Sequence, residues 1–174
     1  LGKDIDTMKE MLLHDPVKIE IAPETENLDG IKQTGYRVTE ERKGPLLRYL
    51  IKEQNLKQVL VFTSSVHKAD AVVNKLKING ISALALHSQK SQGARTDALR
   101  YFKSGEITVL VATDLASRGI DIPFLPTVIN YELPRSPKDF IHRIGRTGRA
   151  GATGVAISFV CADEEQHFRV KKKK

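Results

Sequence analysis

Along most of the chain, short apolar bursts alternate with longer amphipathic stretches. The bursts at residues 35–38, 58–62, 82–86, 108–112, 127–131 and 154–160 have strand length and strand composition. Between them, apolar positions recur at helical spacing over residues 43–53, 65–79, 91–103 and 136–144. Local signals mark the helix ends. Ser136-Pro137 is an N-cap with Pro at the first helical position, and Gly80 and Gly145 follow helix ends. Regular alternation of strand and helix predicts an α/β fold: a mostly parallel β-sheet with helices on both faces, in three layers. Ligands in such folds sit beyond the carboxyl ends of the strands.

The start of the chain follows a different pattern. Ile5, Met8, Leu12 and Leu13 have helical spacing, Asp15-Pro16 breaks it, and Val17, Ile19 and Ile21 then alternate as an extended strip. Residues 22–32 are polar, include Pro23, Asn27, Asp29 and Gly30, and show no apolar period, so they are expected to be a linker. The division expected is residues 1–21, then a linker at 22–32, then one domain over 33–174.

Composition narrows the class. Hydrophobic residues make up 40% of the chain, enough for a core, yet no apolar run approaches the roughly 20 residues of a membrane span. Residues 1–10 are charged throughout and lack the features of a secretory signal. Cys161 is the single cysteine, so an intramolecular disulfide and a thiolate metal cluster are excluded; in its apolar surroundings a buried, unreactive thiol in a reducing cytoplasm is expected. The net charge of +7 suggests a polyanionic partner, but four of the positives are the terminal run Lys171 to Lys174. Local density says more: residues 135–149 hold five Lys or Arg and one acid.

Three segments carry candidate chemistry. Residues 109–121 read as a buried strand, then Thr113 and Asp114 as possible N-caps, then barely one helical turn before Gly119. Exposed N–H groups at such a helix start would form a phosphate site, although an ordinary capped turn accounts for the pattern equally well. Residues 136–151 contain Arg143, Arg146 and Arg149, spaced by three and separated by Gly145 and Gly148. Two glycines in four residues weaken a helix there, leaving a loop whose guanidinium forks suit phosphate oxygens. Residues 87–95 follow a strand into a helix, with Ser88 or Ser91 available to cap and Arg95 a turn inside. His67 and His167 are expected on helix surfaces without a role.

These three segments resemble the carboxyl-terminal helicase domain of DEAD-box RNA helicases of superfamily 2. His142-Arg143-Ile144-Gly145-Arg146-Thr147-Gly148-Arg149 is similar to motif VI, and Ala112-Thr113-Asp114 through Arg118-Gly119-Ile120-Asp121-Ile122-Pro123 to motif V. Val59-Leu60-Val61-Phe62-Thr63-Ser64-Ser65 resembles motif IV, and Gln92 to Arg95 fits the Q-x-x-R element. The resemblance covers the chain from about Lys32 onward and implies a RecA-like fold, with residues 1–21 as the tail of a preceding helicase domain. It implies that Arg146 and Arg149 are arginine fingers for the γ-phosphate of ATP, and that Gly119 and Asp121 contact the nucleotide ribose. His142 and Arg143 would couple the cleft to a first RecA-like domain. Thr113, Arg95, Ser64 and Ser88 would hold the RNA backbone, with little sequence preference. Phe62 would pack behind motif VI. The family commonly has Gly where this chain has Ser88, so a serine hydroxyl either replaces that backbone contact or crowds it.

No G-x-x-x-x-G-K-[ST] loop, paired acidic motif or His/Cys metal-ligand set occurs, so Mg²⁺ would be held mainly by the first domain and this chain alone is expected not to hydrolyse ATP. Two other readings share parts of the pattern: a DNA-directed superfamily 2 helicase, and an RNA-binding module without ATPase activity.

Overall fold

The structure, a computed structural model, describes residues 16–19, 30–118, 122, 125–147, 154–165 and 170–172. In chain order its elements are β1 (Pro16–Ile19), β2 (Ile31–Arg37), α1 (Glu40–Glu53), β3 (Val59–Thr63), α2 (Val66–Ile78), β4 (Ala83–Leu86) and α3 (Gln92–Ser104). There follow β5 (Val109–Thr113), α4 (Asp114–Ser117), β6 (Thr127–Asn130), α5 (Pro137–Ile144), β7 (Gly154–Val160), a 3₁₀ turn at Ala162–Glu164, and β8 (Val170–Lys172). The expected helix over residues 5–13 lies outside the described residues.

The strands form one sheet in the order β4-β5-β3-β6-β7-β2-β1-β8. From β4 to β2 every pairing is parallel, while β1 joins β2 and β8 joins β1 antiparallel. The mostly parallel α/β architecture expected from the alternation is therefore the one found.

Successive side chains of a strand point to opposite faces, and here the two faces feed two cores. Val59 and Val61 of β3, Val109 and Val111 of β5, Ile129 and Phe159 point toward α1 and α2, where Leu46, Leu50, Val72 and Leu76 meet them. Leu60, Phe62, Leu110, Ala112 and Val128 point the other way, onto Ala98 and Phe102 of α3. Both faces are covered, which is why these strands read as continuous apolar runs. Each fully buried Val, Leu or Phe contributes about 1.5–3 kcal/mol through burial.

Helix starts follow the caps that the sequence offers. The Ser65 hydroxyl accepts from the Lys68 N–H at 3.1 Å, Ser91 from Ala94 at 3.1 Å and Ser136 from Asp139 at 3.2 Å. Gly105 closes α3 at φ 82°, a conformation that favours glycine. Gly145, by contrast, ends α5 at φ −65°, so its conformational freedom is not used there.

Two boundaries differ from expectation. Strand β2 begins at Ile31, inside the expected linker, and pairs with β7 over seven residues from Ile31↔Gly154 to Arg37↔Val160. Lys32, Gln33 and Thr34 are strand residues through this backbone pairing, a contribution that no apolar alternation reveals. Helix α1 starts at Glu40, about a turn before the expected Lys43, with Glu40 and Glu41 in its first turn and Pro45 inside it. The acids favour the positive end of the helix dipole, and Pro45, in the second turn, has no N–H to give the helix ladder.

Candidate functional site

The carboxyl ends of β4, β5 and β3 lie side by side. Leu86 pairs with Ala112, Ala112 with Phe62, and Thr113 with Thr63. With about 4.8 Å between neighbouring strands, the segments that leave this edge emerge within about 10 Å of one another. Ser64, Thr113 and Ser88 belong to those three exits, so the structure brings together residues 24 or more positions apart in sequence. Ser64 and Ser88 are exposed, Thr113 is half-buried, and half-buried Arg95 lies in the first turn of α3 just beyond the Ser88 loop. Among the described residues only Asn55 and Gln58 are non-glycine positions with positive φ, so Ser88 takes up its turn in a conformation open to any residue. Ser88 is exposed, on the loop between β4 and α3.

Beside this edge the first of the three arginines, Arg143, is a structural hub. Arg143, on α5, is only 2% exposed. Its Nε and Nη2 donate to the two carboxylate oxygens of Asp114, each at 2.6 Å. Its Nη1 donates to the Asn130 side-chain oxygen at 3.2 Å and to the Glu132 carbonyl at 2.5 Å. The guanidinium carbon lies 5.0 Å from the centre of the Phe62 ring, which places Phe62 against this segment as expected. All three guanidinium nitrogens are thus satisfied within the domain, as a buried cation requires. Any coupling to another domain through Arg143 must run through the groups it holds.

Asp114 is the residue whose expected role changes most. Rather than capping α4, it occupies the first helical position, and its carboxylate is engaged by Arg143. Thr113 is the N-cap residue but makes no side-chain cap bond. The one-turn helix therefore carries a neutralised ion pair at its start, where the sequence leaves a phosphate site and an ordinary capped turn equally open.

Two more contacts stitch the same segments together. Arg146 Nη2 donates to the Ser117 carbonyl at 3.0 Å, and Arg118 Nη2 pairs with Asp139 Oδ1 at 3.3 Å. Leu125 N donates to the Arg146 carbonyl at 3.0 Å, and the buried Thr147 hydroxyl donates to the Leu125 carbonyl. The arginine-bearing loop is thereby fixed to α4 on one side and to the chain entering β6 on the other. His142 is exposed and Arg146 partly exposed on this edge. Gly119, Asp121 and Arg149 lie outside the described residues.

Sequence reasoning missed three participants. Glu132 accepts the Ser64 N–H at 2.9 Å, Asn130 is fully buried and donates to the Ser158 hydroxyl at 3.0 Å while accepting from Arg143, and Asp70 binds His87. None carries a local signal, because each acts across a strand or helix boundary. Tyr131, between Asn130 and Glu132, has its pKa pushed up to about 12 by burial, with the nearby Glu40 and Glu132 carboxylates adding to the effect. The Lys43 ammonium lies 5.8 Å from its ring centre.

Among the described residues, Asp114, Asp139 and Glu132 of this edge each already accept from a donor of the same domain. Among the described residues this edge also carries serine and threonine hydroxyls and cationic side chains, groups that suit phosphate oxygens.

Comparison with known proteins decides the family. The model of the helicase conserved C-terminal domain matches residues 42–151, more than half of the chain. The chain belongs to the DEAD-box RNA helicases, as their carboxyl-terminal helicase domain. The ATP-dependent RNA helicase SrmB of Escherichia coli (strain K12) is 40% identical over 164 residues, which is 94% of this chain and 37% of SrmB. The C-terminal domain of the DEAD-box protein Dbp5 superposes with a TM-score of 0.74 at 34% identity, over 82% of this chain and 83% of that one. Dbp5 of S. cerevisiae bound to RNA and ADP BeF3 gives a TM-score of 0.76 at 34% identity, over 86% of this chain and 40% of Dbp5. The chain spans about a third of the length of the curated relatives it matches. In this DEAD-box domain, no helix among the described residues is long and apolar enough to cross a membrane.

Proposed function

We propose that this domain is one half of an ATP-dependent RNA helicase, working with a first RecA-like domain of the same protein in the cytoplasm. The observation that carries the proposal is the stitching of the motif V and motif VI segments by Asp114–Arg143, Ser117–Arg146 and Arg118–Asp139 beside the edge that holds Ser64, Ser88 and Thr113. It links a row of hydroxyls to a loop of arginines through rigid contacts.

In this reading Arg146 and Arg149 extend their forks toward the γ-phosphate of ATP, while Gly119 and Asp121 meet the ribose. ATP supplies the hydrolysable phosphoanhydride, and Mg²⁺ is held mainly by the first domain, in keeping with the lack of a paired acidic motif in this chain. His142 projects toward the first domain, and Arg143 transmits its position through Asp114. Ser64, Ser88, Arg95 and Thr113 hold RNA phosphates and sugars, which gives little sequence preference. Both ligands favour the closed arrangement of the two domains, and closure bends the bound strand until a short duplex separates. Log affinity for RNA then falls with log salt by about 0.7 per phosphate neutralised.

The test is Arg146→Lys in the two-domain protein. Lysine keeps the charge and loses the planar fork, so RNA-stimulated turnover should drop by about two orders of magnitude or more while ATP affinity stays within a few-fold. Near-normal turnover would remove Arg146 from the finger role.

A further inference from the structure

His87 sits at the exit of β4, next to Ser88, yet it is only 2% exposed. Both ring nitrogens are used. Nδ1 accepts the Gln89 N–H at 3.2 Å, which puts the ring proton on Nε2, and Nε2 donates to Asp70 Oδ1 on α2 at 2.8 Å. The His87 carbonyl accepts the Lys90 N–H at 3.1 Å, and Lys90 Nζ lies 4.0 Å from the same Asp70 oxygen. Ser91 then caps α3, which carries Arg95. The loop from 87 to 91 is thus folded around an imidazole that is anchored on a different element. The two bonds satisfy the buried ring and at the same time tie the loop backbone to a separate helix.

We propose that Asp70 is a positioning residue for RNA binding, acting through the buried His87 ring to hold the Ser88 loop and the start of α3 in their binding geometry. The inference rests on the RNA role proposed above for Ser88 and Arg95. Asp70 itself is about half exposed and lies on α2, a different element from those that carry Ser88 and Arg95. Removing its carboxylate leaves the buried Nε2–H without its acceptor, so the ring and the turn that depends on it lose their fixed orientation. Asparagine at the same position keeps an acceptor oxygen and should keep the loop.

The experiment uses the whole two-domain protein with a fluorescent single-stranded oligouridylate and a non-hydrolysable ATP analogue. Asp70→Ala should weaken RNA binding about tenfold, the effect of losing one hydrogen bond's worth of organisation, while kcat, measured in a parallel assay with ATP at saturating RNA, stays within about twofold. Asp70→Asn should restore affinity to within about twofold of the parent. Ser88→Ala should weaken binding by itself but add nothing in the Asp70→Ala background, because the hydroxyl is already misplaced there. Hydrogen exchange at the Gln89 and Lys90 amides should accelerate in Asp70→Ala, with α2 and β4 protection unchanged. Unchanged RNA affinity in Asp70→Ala, or additive effects of the two substitutions, overturns the proposal. Unchanged amide protection at Gln89 and Lys90 overturns the positioning device itself. If the device holds by exchange but neither Ser88→Ala nor Arg95→Ala alters RNA affinity, the failure lies in the RNA role of this loop, and the inference falls with it.

Discussion

Asp114→Ala should be among the most destabilising single changes on the surface-facing side of this domain. The substitution removes both acceptors of a bidentate pair and strands the guanidinium of Arg143, which is 2% exposed. Breaking one side of a buried ion pair costs about 3–5 kcal/mol. The Asp114 side chain is 31% exposed, so water reaches the vacated position and part of that cost is recovered. The Asn130 and Glu132 oxygens still hold Nη1, which limits the loss further. An unfolding penalty of about 2–3 kcal/mol follows, or roughly 4–12 °C in Tm for a domain of this size. Urea denaturation followed by circular dichroism measures it directly. Asp114→Asn, which retains one acceptor, should cost about half as much. The double variant Asp114→Ala/Arg143→Met should be more stable than the sum of the two singles predicts, because the second change removes the stranded charge. Asp114→Ala within 0.5 kcal/mol of the parent, about the level of an ordinary surface substitution, would refute the clamp.

Thr113→Ala should weaken RNA binding several-fold in the nucleotide-bound two-domain protein and leave the fold intact, since the Thr113 hydroxyl makes no cap bond; fluorescence anisotropy checks it. Tyr131, with its pKa raised by burial from 10.0 to about 12, contributes stability that is present below pH 10 and lost as pH rises toward 12, because the unfolded chain releases this proton first. Stability measured across that range should fall, and should fall less in Tyr131→Phe. Cys161 is half-buried, not fully enclosed as its apolar surroundings suggest, and burial pushes its thiol pKa above the ordinary value even though Lys43 opposes this. Its reaction with a soluble disulfide reagent at pH 8 should be slower than that of an unfolded cysteine, and urea should accelerate it.

How much of this was legible in the sequence depends on the range of the interaction. Strands β3, β5 and β7 carry their own signal, because burial on both faces demands continuous apolar residues such as Val59 to Phe62 and Val109 to Ala112. Capped helices announce themselves through Ser65, Ser91 and Ser136. Strand β2 does not, because Lys32 to Thr34 are strand residues only by pairing with β7. The gathering of Ser64, Ser88 and Thr113 follows from the alternating order of elements and the parallel sheet it predicts. The partners of the arginines do not: Asp114 looks like a cap, Asn130 and Glu132 look like strand-end residues, and only the adjacency of β5, β3 and β6 turns them toward Arg143 and Ser64. In the sequence His87 is only the residue before Ser88, and its anchor Asp70 sits 17 residues earlier on a helix with no local mark of the contact.

The central claim is a split site, with this DEAD-box domain supplying arginines and RNA contacts to a nucleotide gripped elsewhere in the same protein. RNA-stimulated ATP hydrolysis, measured on this chain alone and on the full-length protein, tests it most directly. RNA-dependent turnover by the whole protein and none by the chain is the expected result; turnover by the chain alone, or a full-length protein whose hydrolysis ignores RNA, would contradict it.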